Sequence, residues 1–159
     1  MEPDQQESWE SLIAAEFNVA YRTELGQRNY SLTKYTEFCV AVLTSSTVGS
    51  LLASAPAWVP TIISILAAAG SIALATLGWK KEAAAISVTR GKWSELAQAY
   101  QQLWNRVSDG SIYTDQLRTD LERLRGIKVI ADKGEPLIRT DEKLRSRCFD
   151  QVLKRRGLL

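Results

Sequence analysis

The sequence predicts an all-α membrane protein built around a two-helix transmembrane hairpin, and two observations support this prediction. Residues 38–79 are forty-two consecutive residues without a Lys, Arg, Asp, Glu, Asn or Gln. One spanning helix needs about 20 apolar residues, so the run is long enough for two crossings. Pro56 and Pro60 lie in the middle of the run. Because proline interrupts helical hydrogen bonding, they predict the turn between the two crossings.

Four helical segments are predicted along the chain. In order, they are an N-terminal cytoplasmic amphipathic helix (1–34), a transmembrane hairpin (35–80), a cytoplasmic stalk helix (81–110) and a helical C-terminal regulatory module (111–159). Within the hairpin, the first helix covers about 35–54 and the second about 60–80. Proline suits the start of the second helix, where the first amides have no partner inside the helix.

Aromatic and basic residues flank the apolar run. Trp58 lies at the predicted turn and Trp79 at the exit from the second helix, and such rings prefer the membrane interface. Basic residues lie on both sides of the run and none lies at the turn: Arg22, Arg28, Lys34, Lys80, Lys81, Arg90 and Lys92. By the positive-inside rule, both termini are expected in the cytoplasm. A soluble helical bundle with a very apolar central hairpin is the alternative.

The first helix is predicted to begin at Ser8, a suitable N-cap, and to end near Gly26. Its apolar residues repeat with the helical period: Trp9, Leu12, Ile13, Phe17, Ala20, Tyr21 and Leu25. Residues 29–33 are polar and predict a break or kink before the membrane.

One face of the first spanning helix is apolar near the cytoplasm and hydroxylated towards the turn. Its residues are Val40, Leu43, Thr47, Ser50 and Ser54. This face could line a water-filled pore with a hydrophobic constriction at Val40 and Leu43. Alternatively, the hydroxyls bond to their own backbone carbonyls or lie at contacts between helices.

The second spanning helix carries what we call the small-residue stripe. Its residues recur at intervals of four and three: Ser64, Ala68, Ser71, Ala75 and Gly78. Small side chains let another backbone approach closely, which is how helices pack in membranes. The stripe could face the first helix of the same chain or a neighbouring chain. Large aliphatic residues on the opposite side suit lipid.

The helix after the membrane carries what we call the stalk seam, an apolar row with coiled-coil spacing. The row consists of Trp93, Leu96, Tyr100, Leu103 and Val107. Together with a transmembrane hairpin, it suggests a stalk through which chains oligomerise. Residues 108–110 end this helix at a glycine.

Two further cytoplasmic helices are predicted. The first covers 114–125 and is ended by Gly126. Residues 127–131 are short and rich in β-branched side chains, which predicts an extended segment followed by a turn. The last helix is predicted to begin at Thr140 as N-cap and to end at about Arg156.

Charge is divided between the two ends of the chain. Residues 1–37 carry three basic and seven acidic side chains, whereas residues 80–159 carry seventeen basic and eleven acidic ones. The two parts could pair with each other, or the basic part could bind an anionic partner or anionic lipid. The predicted ligand-binding residues bracket the irregular segment: Arg123, Arg125, Lys128, Lys133 and Arg139. Such clusters hold phosphate-rich ligands through charge-assisted hydrogen bonds.

The sequence argues against catalysis. The chain has no histidine, the commonest general base and metal ligand, and no glycine-rich phosphate loop or nucleophile motif. Cys39 and Cys148 have no metal-ligand spacing and are expected to be reduced. We therefore expect no enzyme activity, no metal and no cofactor.

The arrangement of segments resembles the SLATT family of two-transmembrane bacterial effector domains, found beside nucleotide-signalling genes. The resemblance covers roughly residues 8–107 and rests on the amphipathic first helix, the tight hairpin and a few residues: Arg28, Tyr30, Lys34, Trp93-x-x-Leu96 and Tyr100-x-x-Leu103. Many relatives have histidines flanking the spans, and this chain has none. The resemblance implies an inner-membrane effector of antiviral defence that opens a pore or disrupts the membrane when a nucleotide signal changes. A partner nucleotidyltransferase would make that nucleotide or oligonucleotide.

The leading prediction is therefore a homo-oligomeric, nucleotide-controlled pore, a tetramer or pentamer, in a bacterial inner membrane. The alternative is a non-conducting membrane anchor or adaptor that recruits a cytoplasmic partner or anionic lipid.

Overall fold

The computed structural model describes residues 2–45, 56, 58–76, 78–133 and 141–159. These residues are almost entirely helical, and no strand occurs among them, which confirms the prediction of an all-α chain. The helices are α1 (Pro3–Leu43), α2 (Trp58–Thr76), α3 (Trp79–Ser108), α4 (Thr114–Lys133) and α5 (Glu142–Arg155).

The chain divides into two compact units. Residues 1–26 and 84–159 form what we call the bundle unit, and residues 27–83 form what we call the apolar unit. Helices α1 and α3 each run through a boundary between the units.

Helix α1 is longer than predicted and continuous. Ser8 does not cap it: the helix begins at Pro3, and Ser8 is fully buried within it. Gly26 does not end it, because the helix continues through this residue to Leu43, and a Cβ at position 26 would make an ordinary van der Waals contact with Ile86 Cγ2 at 3.4 Å. Residues 29–33 do not break it either. Thr33 Oγ1 donates to the Asn29 carbonyl at 2.9 Å, so this polar side chain is satisfied inside the helix.

The core of the bundle unit is built on the stalk seam. Trp93, Leu96, Tyr100 and Leu103 are almost fully buried, and Val107 packs beside them. Their partners come from α1 and α4: Leu12, Ala15, Leu117, Leu121 and Leu124. Fully burying a large apolar side chain contributes about 1.5–3 kcal/mol, so this contact stabilises the monomer strongly. The seam is therefore occupied within one chain and is not a free surface for oligomerisation, contrary to the stalk hypothesis.

Helix α4 does not end at Gly126 but continues to Lys133, so residues 127–131 are helical and not extended. The physical reason is burial. Ala131 is 2% exposed and lies seven residues after Leu124, on the same face as the other buried leucines. Packing of this face outweighs the weak preference of β-branched residues for strands.

Helix α5 packs through a second cluster formed by Leu25, Ile86, Leu144 and Cys148. Its N-cap is Asp141, whose Oδ1 accepts from the Leu144 amide at 3.1 Å. The predicted cap, Thr140, lies outside the described residues. The Asp141 amide in turn donates to the Tyr21 hydroxyl at 3.2 Å, which ties the start of α5 to α1.

Three described glycines with positive φ follow helix ends: Gly78 after α2, Gly110 after α3 and Gly157 after α5. Gly110 has φ of 65° just after α3, as the stop signal at 108–110 predicts. Gly78 has φ of 61° between α2 and α3, so the helix predicted to run from 60 beyond 80 is interrupted there.

In the apolar unit, contacts between α1 and the later helices follow an antiparallel order. Asn29 Nδ2 donates to Glu82 Oε2 at 3.1 Å, and Glu37 pairs with Lys80. Further along α1, Val40 lies against Gly70 of α2. A Cβ at Gly70 would lie 2.8 Å from Val40 Cγ2, so a larger residue at position 70 would require Val40 or one of the two helices to shift.

Candidate functional site

A broad apolar surface lies on α2. Its large side chains are exposed: Trp58, Ile62, Ile65, Leu66 and Ile72. Among the described residues, the range Trp58–Ser108, which covers α2 and α3, contains one candidate span that is long and apolar enough to cross a membrane, and 6% of its apolar window is buried. The core helix of a soluble protein would be mostly buried. On α1, Phe38 and Val42 are exposed as well.

The small-residue stripe lies on the exposed side of α2. Ser64, Ala68, Ser71 and Ala75 are all exposed, whereas Gly78 lies just beyond the helix. The side of α2 turned towards α1 instead contains Ala67, which is buried, and Gly70. Among the described residues, the contact of α2 with α1 is therefore made by Gly70 and not by the stripe.

The predicted pore-lining residues are only partly described. Val40 is half-buried against Gly70, so it lies at a contact between helices, and Leu43 is half-buried as well. Thr47, Ser50 and Ser54 lie outside the described residues. The two neighbouring hydroxyls, Thr44 and Ser45, donate to backbone carbonyls three or four residues earlier, as the alternative interpretation of this face expects.

Polar side chains gather at one end of the apolar unit. Asn29 and Thr33 are buried there, and Asn29 contacts Glu82. The Lys34 ammonium lies 5.8 Å from the centre of the Tyr30 ring. An aromatic ring beside a lysine is typical of the interface between hydrocarbon and water.

Four of the five predicted ligand-binding residues belong to the described part of the chain, where they are spread around one helix. Arg123, Arg125, Lys128 and Lys133 all lie on α4, and Arg139 lies outside the described residues. Because a helix turns about 100° per residue, their spacing spreads them around the axis. Arg125 is also occupied by Glu7 of α1, which accepts from Nε at 2.7 Å. This hydrogen bond is the main reason that the pKa of Arg125 is raised.

Three arginines of the C-terminal helices pair with three glutamates of α1. Besides Arg125 with Glu7, Arg147 pairs with Glu24 at 3.3 Å, and Arg156 pairs with Glu16. Opposite charges at the two ends of the sequence thus meet inside the bundle unit, which is one of the two outcomes that the charge division allowed. The sequence alone did not indicate the partners.

A buried arginine also joins α1 to α3. Arg22 is 5% exposed, and its guanidinium lies 5.6 Å from the centre of the Trp93 ring. Burial lowers the pKa of Arg22, and the charge of Asp132 opposes that shift. The contact with the ring face offsets part of the cost of burying this cation.

A groove of about 440 Å³ lies between α1, α3 and α5 of the bundle unit. Its lining includes Gln98, Gln151 and Arg155 beside the carboxylates Glu16 and Glu24. Sequence reasoning missed this groove, because its polar residues look like ordinary solvated positions on three separate amphipathic helices.

Among the described residues, no group of three His, Cys, Asp or Glu side chains could hold a metal ion. Comparison with known proteins adds no relative, since no family model, curated protein or solved structure matches the chain.

Proposed function

We propose that the chain is an inner-membrane protein that inserts α2 and the C-terminal part of α1 into the bilayer as a helical hairpin. The observation that carries this proposal is the exposure of an uncharged, apolar helix of nineteen residues, whose one buried residue among those described is Ala67. Hydrocarbon is a suitable surrounding for such a surface, whereas water is not. The antiparallel order of the contacts that α1 makes with α2 and with the start of α3, and the polar end of the apolar unit, support the same arrangement.

In this proposal, the hairpin self-associates through the small-residue stripe. The stripe is exposed in one chain and uncharged, so it is available to a second copy in the membrane. Small residues favour close packing between helices where no hydrophobic driving force exists. The homo-oligomer, a tetramer or pentamer, is a pore-forming effector of antiviral defence controlled by a nucleotide or oligonucleotide signal. Its pathway is lined by Leu43 and the hydroxylated residues that follow it, and the resemblance to SLATT domains supports the defence role.

A second candidate function is a non-conducting membrane anchor or adaptor. It is favoured by the contact of Val40 with Gly70 and by the hydroxyls of Thr44 and Ser45, which bond to their own helix. The first feature uses Val40, one of the proposed lining residues, within one chain.

Flux through liposomes that contain the purified protein distinguishes the two functions. A pore releases a trapped dye or ion, and the variant Leu43→Ser, which removes the proposed hydrophobic constriction, should increase the basal rate. The matched control is Ile65→Ser, which introduces the same hydroxyl on the exposed face of α2 and should leave the rate unchanged. Absence of flux from inserted, oligomeric protein would leave the anchor as the function.

A further inference from the structure

We infer that the groove between α1, α3 and α5 binds a small anion that carries a planar hydrogen-bonding ring, the chemistry of a nucleoside monophosphate. This inference rests on the proposed control of the protein by a nucleotide and locates that control in the bundle unit. This site is distinct from the basic residues of α4, which the sequence predicts as the ligand-binding residues.

The size of the groove suits such a ligand. Ligand pockets in proteins usually measure about 300–1,000 Å³, and this groove measures about 440 Å³. The lining of the groove includes three short apolar residues: Val19 and Ala20 on α1 and Ala97 on α3. Their methyl groups offer an apolar surface on which a flat ring can lie.

The sides of the groove carry side-chain amides. Gln98 projects from α3 and Gln151 from α5, and both are exposed. Each amide presents one acceptor oxygen and a donor NH₂ group side by side. Glutamine pairs in this way with the adjacent donor and acceptor of a nucleobase edge, such as N6 and N7 of adenine.

One positively charged side chain of the groove, that of Arg155, is available to bind an anion. Glu16 accepts from Arg156 Nε at 3.0 Å, and Glu24 accepts from Arg147 Nη2 at 3.3 Å, so both carboxylates are already compensated. Arg155 also lines the groove, and among the described residues no carboxylate lies within ion-pair distance of it. A guanidinium in this situation binds phosphate through charge-assisted hydrogen bonds.

The groove also explains how a small ligand could act on the fold. Its lining comes from three helices that are far apart in sequence, and Arg156 joins the same helices through Glu16 of α1 and Gln101 of α3. A ligand that contacts all three helices favours the state in which α5 is packed in place.

The test is binding of the 5′-monophosphates of adenosine, guanosine, cytidine and uridine to the full-length protein in detergent, measured by calorimetry. Two groove variants, Arg155→Gln and Gln98→Leu, change exposed side chains and should preserve the fold. Their matched controls are Arg123→Gln on α4 and Gln102→Leu on the exposed side of α3. Loss of a hydrogen bond to a charged group should weaken binding about tenfold or more in Arg155→Gln, and the controls should bind like the original protein.

Three results would overturn the inference. The first is no binding of any of the four nucleotides to folded protein, and the second is weakening by Arg123→Gln but not by Arg155→Gln. The third is equal competition by inorganic phosphate, which would mean an anion site without recognition of a ring. Nucleotide binding is measured in detergent, independently of the liposome experiment. Absence of flux through liposomes would therefore contradict the proposed pore but not the proposed binding groove. If nucleotides regulate flux in the groove variants as strongly as in the original protein, the proposed binding groove is wrong but the proposed pore is not.

Discussion

The two units of this chain place apolar and polar side chains in opposite ways. In the bundle unit, Trp93, Leu96 and Leu121 are buried, and the charged residues form pairs near the surface. In the apolar unit, Ile65 and Ile72 are exposed, whereas Asn29 and Thr33 are buried. The bundle unit thus has the distribution of polar and apolar side chains expected for helices surrounded by water. The apolar unit has the distribution expected for helices surrounded by hydrocarbon. The predictions below test this contrast, from the largest expected effect to the smallest.

The core of the bundle unit should be sensitive to truncation, and the surface of α2 should not be. Leu121→Ala removes a side chain that is 2% exposed, and we expect it to lower the free energy of unfolding by about 2–5 kcal/mol because it leaves a cavity. Ile65→Ala, at a side chain that is 62% exposed, should change it little. Urea unfolding of the detergent-solubilised protein, followed by circular dichroism, measures both. Equal effects would contradict the contrast.

Close packing within the apolar unit depends on Gly70. Gly70→Ala places a methyl group against Val40, and we expect a loss of about 1–3 kcal/mol, as for overpacking. The double variant with Val40→Ala should recover much of this loss. As a control, Gly91→Ala meets no atom within 4 Å in the middle of α3 and should stabilise the protein by about 0.5–1 kcal/mol. Thermal melts in detergent report all three. A neutral Gly70→Ala would mean that the two helices do not meet at this residue.

The ion pairs of the bundle unit should differ in strength according to their exposure. Arg156 is about one-fifth exposed and contacts Glu16, Gln101 and the ring of Trp9, so Glu16→Gln should cost about 1 kcal/mol. Glu24→Gln removes the more exposed pair with Arg147 and should cost at most a few tenths of a kcal/mol. The same urea titrations, repeated at high salt, separate the two effects. A larger loss from Glu24→Gln would reverse the order that burial predicts.

The buried thiol of α5 should make stability depend on alkaline pH. Burial raises the pKa of Cys148, and the charge of Glu24 adds to that shift. Because the folded thiol holds its proton more tightly than the unfolded one, its contribution is complete below about pH 8.5 and is lost as the pH rises through the folded pKa. Urea midpoints between pH 7 and pH 10 should therefore fall more steeply for the original protein than for Cys148→Ala. Parallel pH profiles would show that the thiol does not contribute.

Sequence reasoning succeeded where local signals and burial agree. The spacing of Trp93, Leu96 and Tyr100 predicted one apolar face of α3, although this face is buried within the chain and not between chains. The helix also ends before Gly110, as the sequence predicted. The acidic and basic ends of the chain raised the possibility of the pairs that the bundle unit contains.

Sequence reasoning failed where a residue has a tertiary role that its type does not reveal. Gly26 looked like a stop signal, but α1 continues through it, and the preceding Leu25 is buried in a cluster with Ile86. Residues 127–131 looked extended, but burial of Ala131 keeps them helical. The groove could not be predicted, because Gln98, Gln151 and Arg155 meet only when three separate helices pack together.

The central claim, that the exposed face of α2 lies in hydrocarbon, can be tested directly with spin labels in liposomes. Labels at Ile65→Cys and, as control, at Ser87→Cys on the exposed side of α3 are compared after Cys39 and Cys148 are replaced by serine. We expect the label at position 65 to be relaxed by oxygen and shielded from a water-soluble nickel complex, and the label at position 87 to behave in the opposite way. If nickel reaches position 65 as readily as position 87 in reconstituted protein, α2 is not in the membrane and the proposed function is wrong.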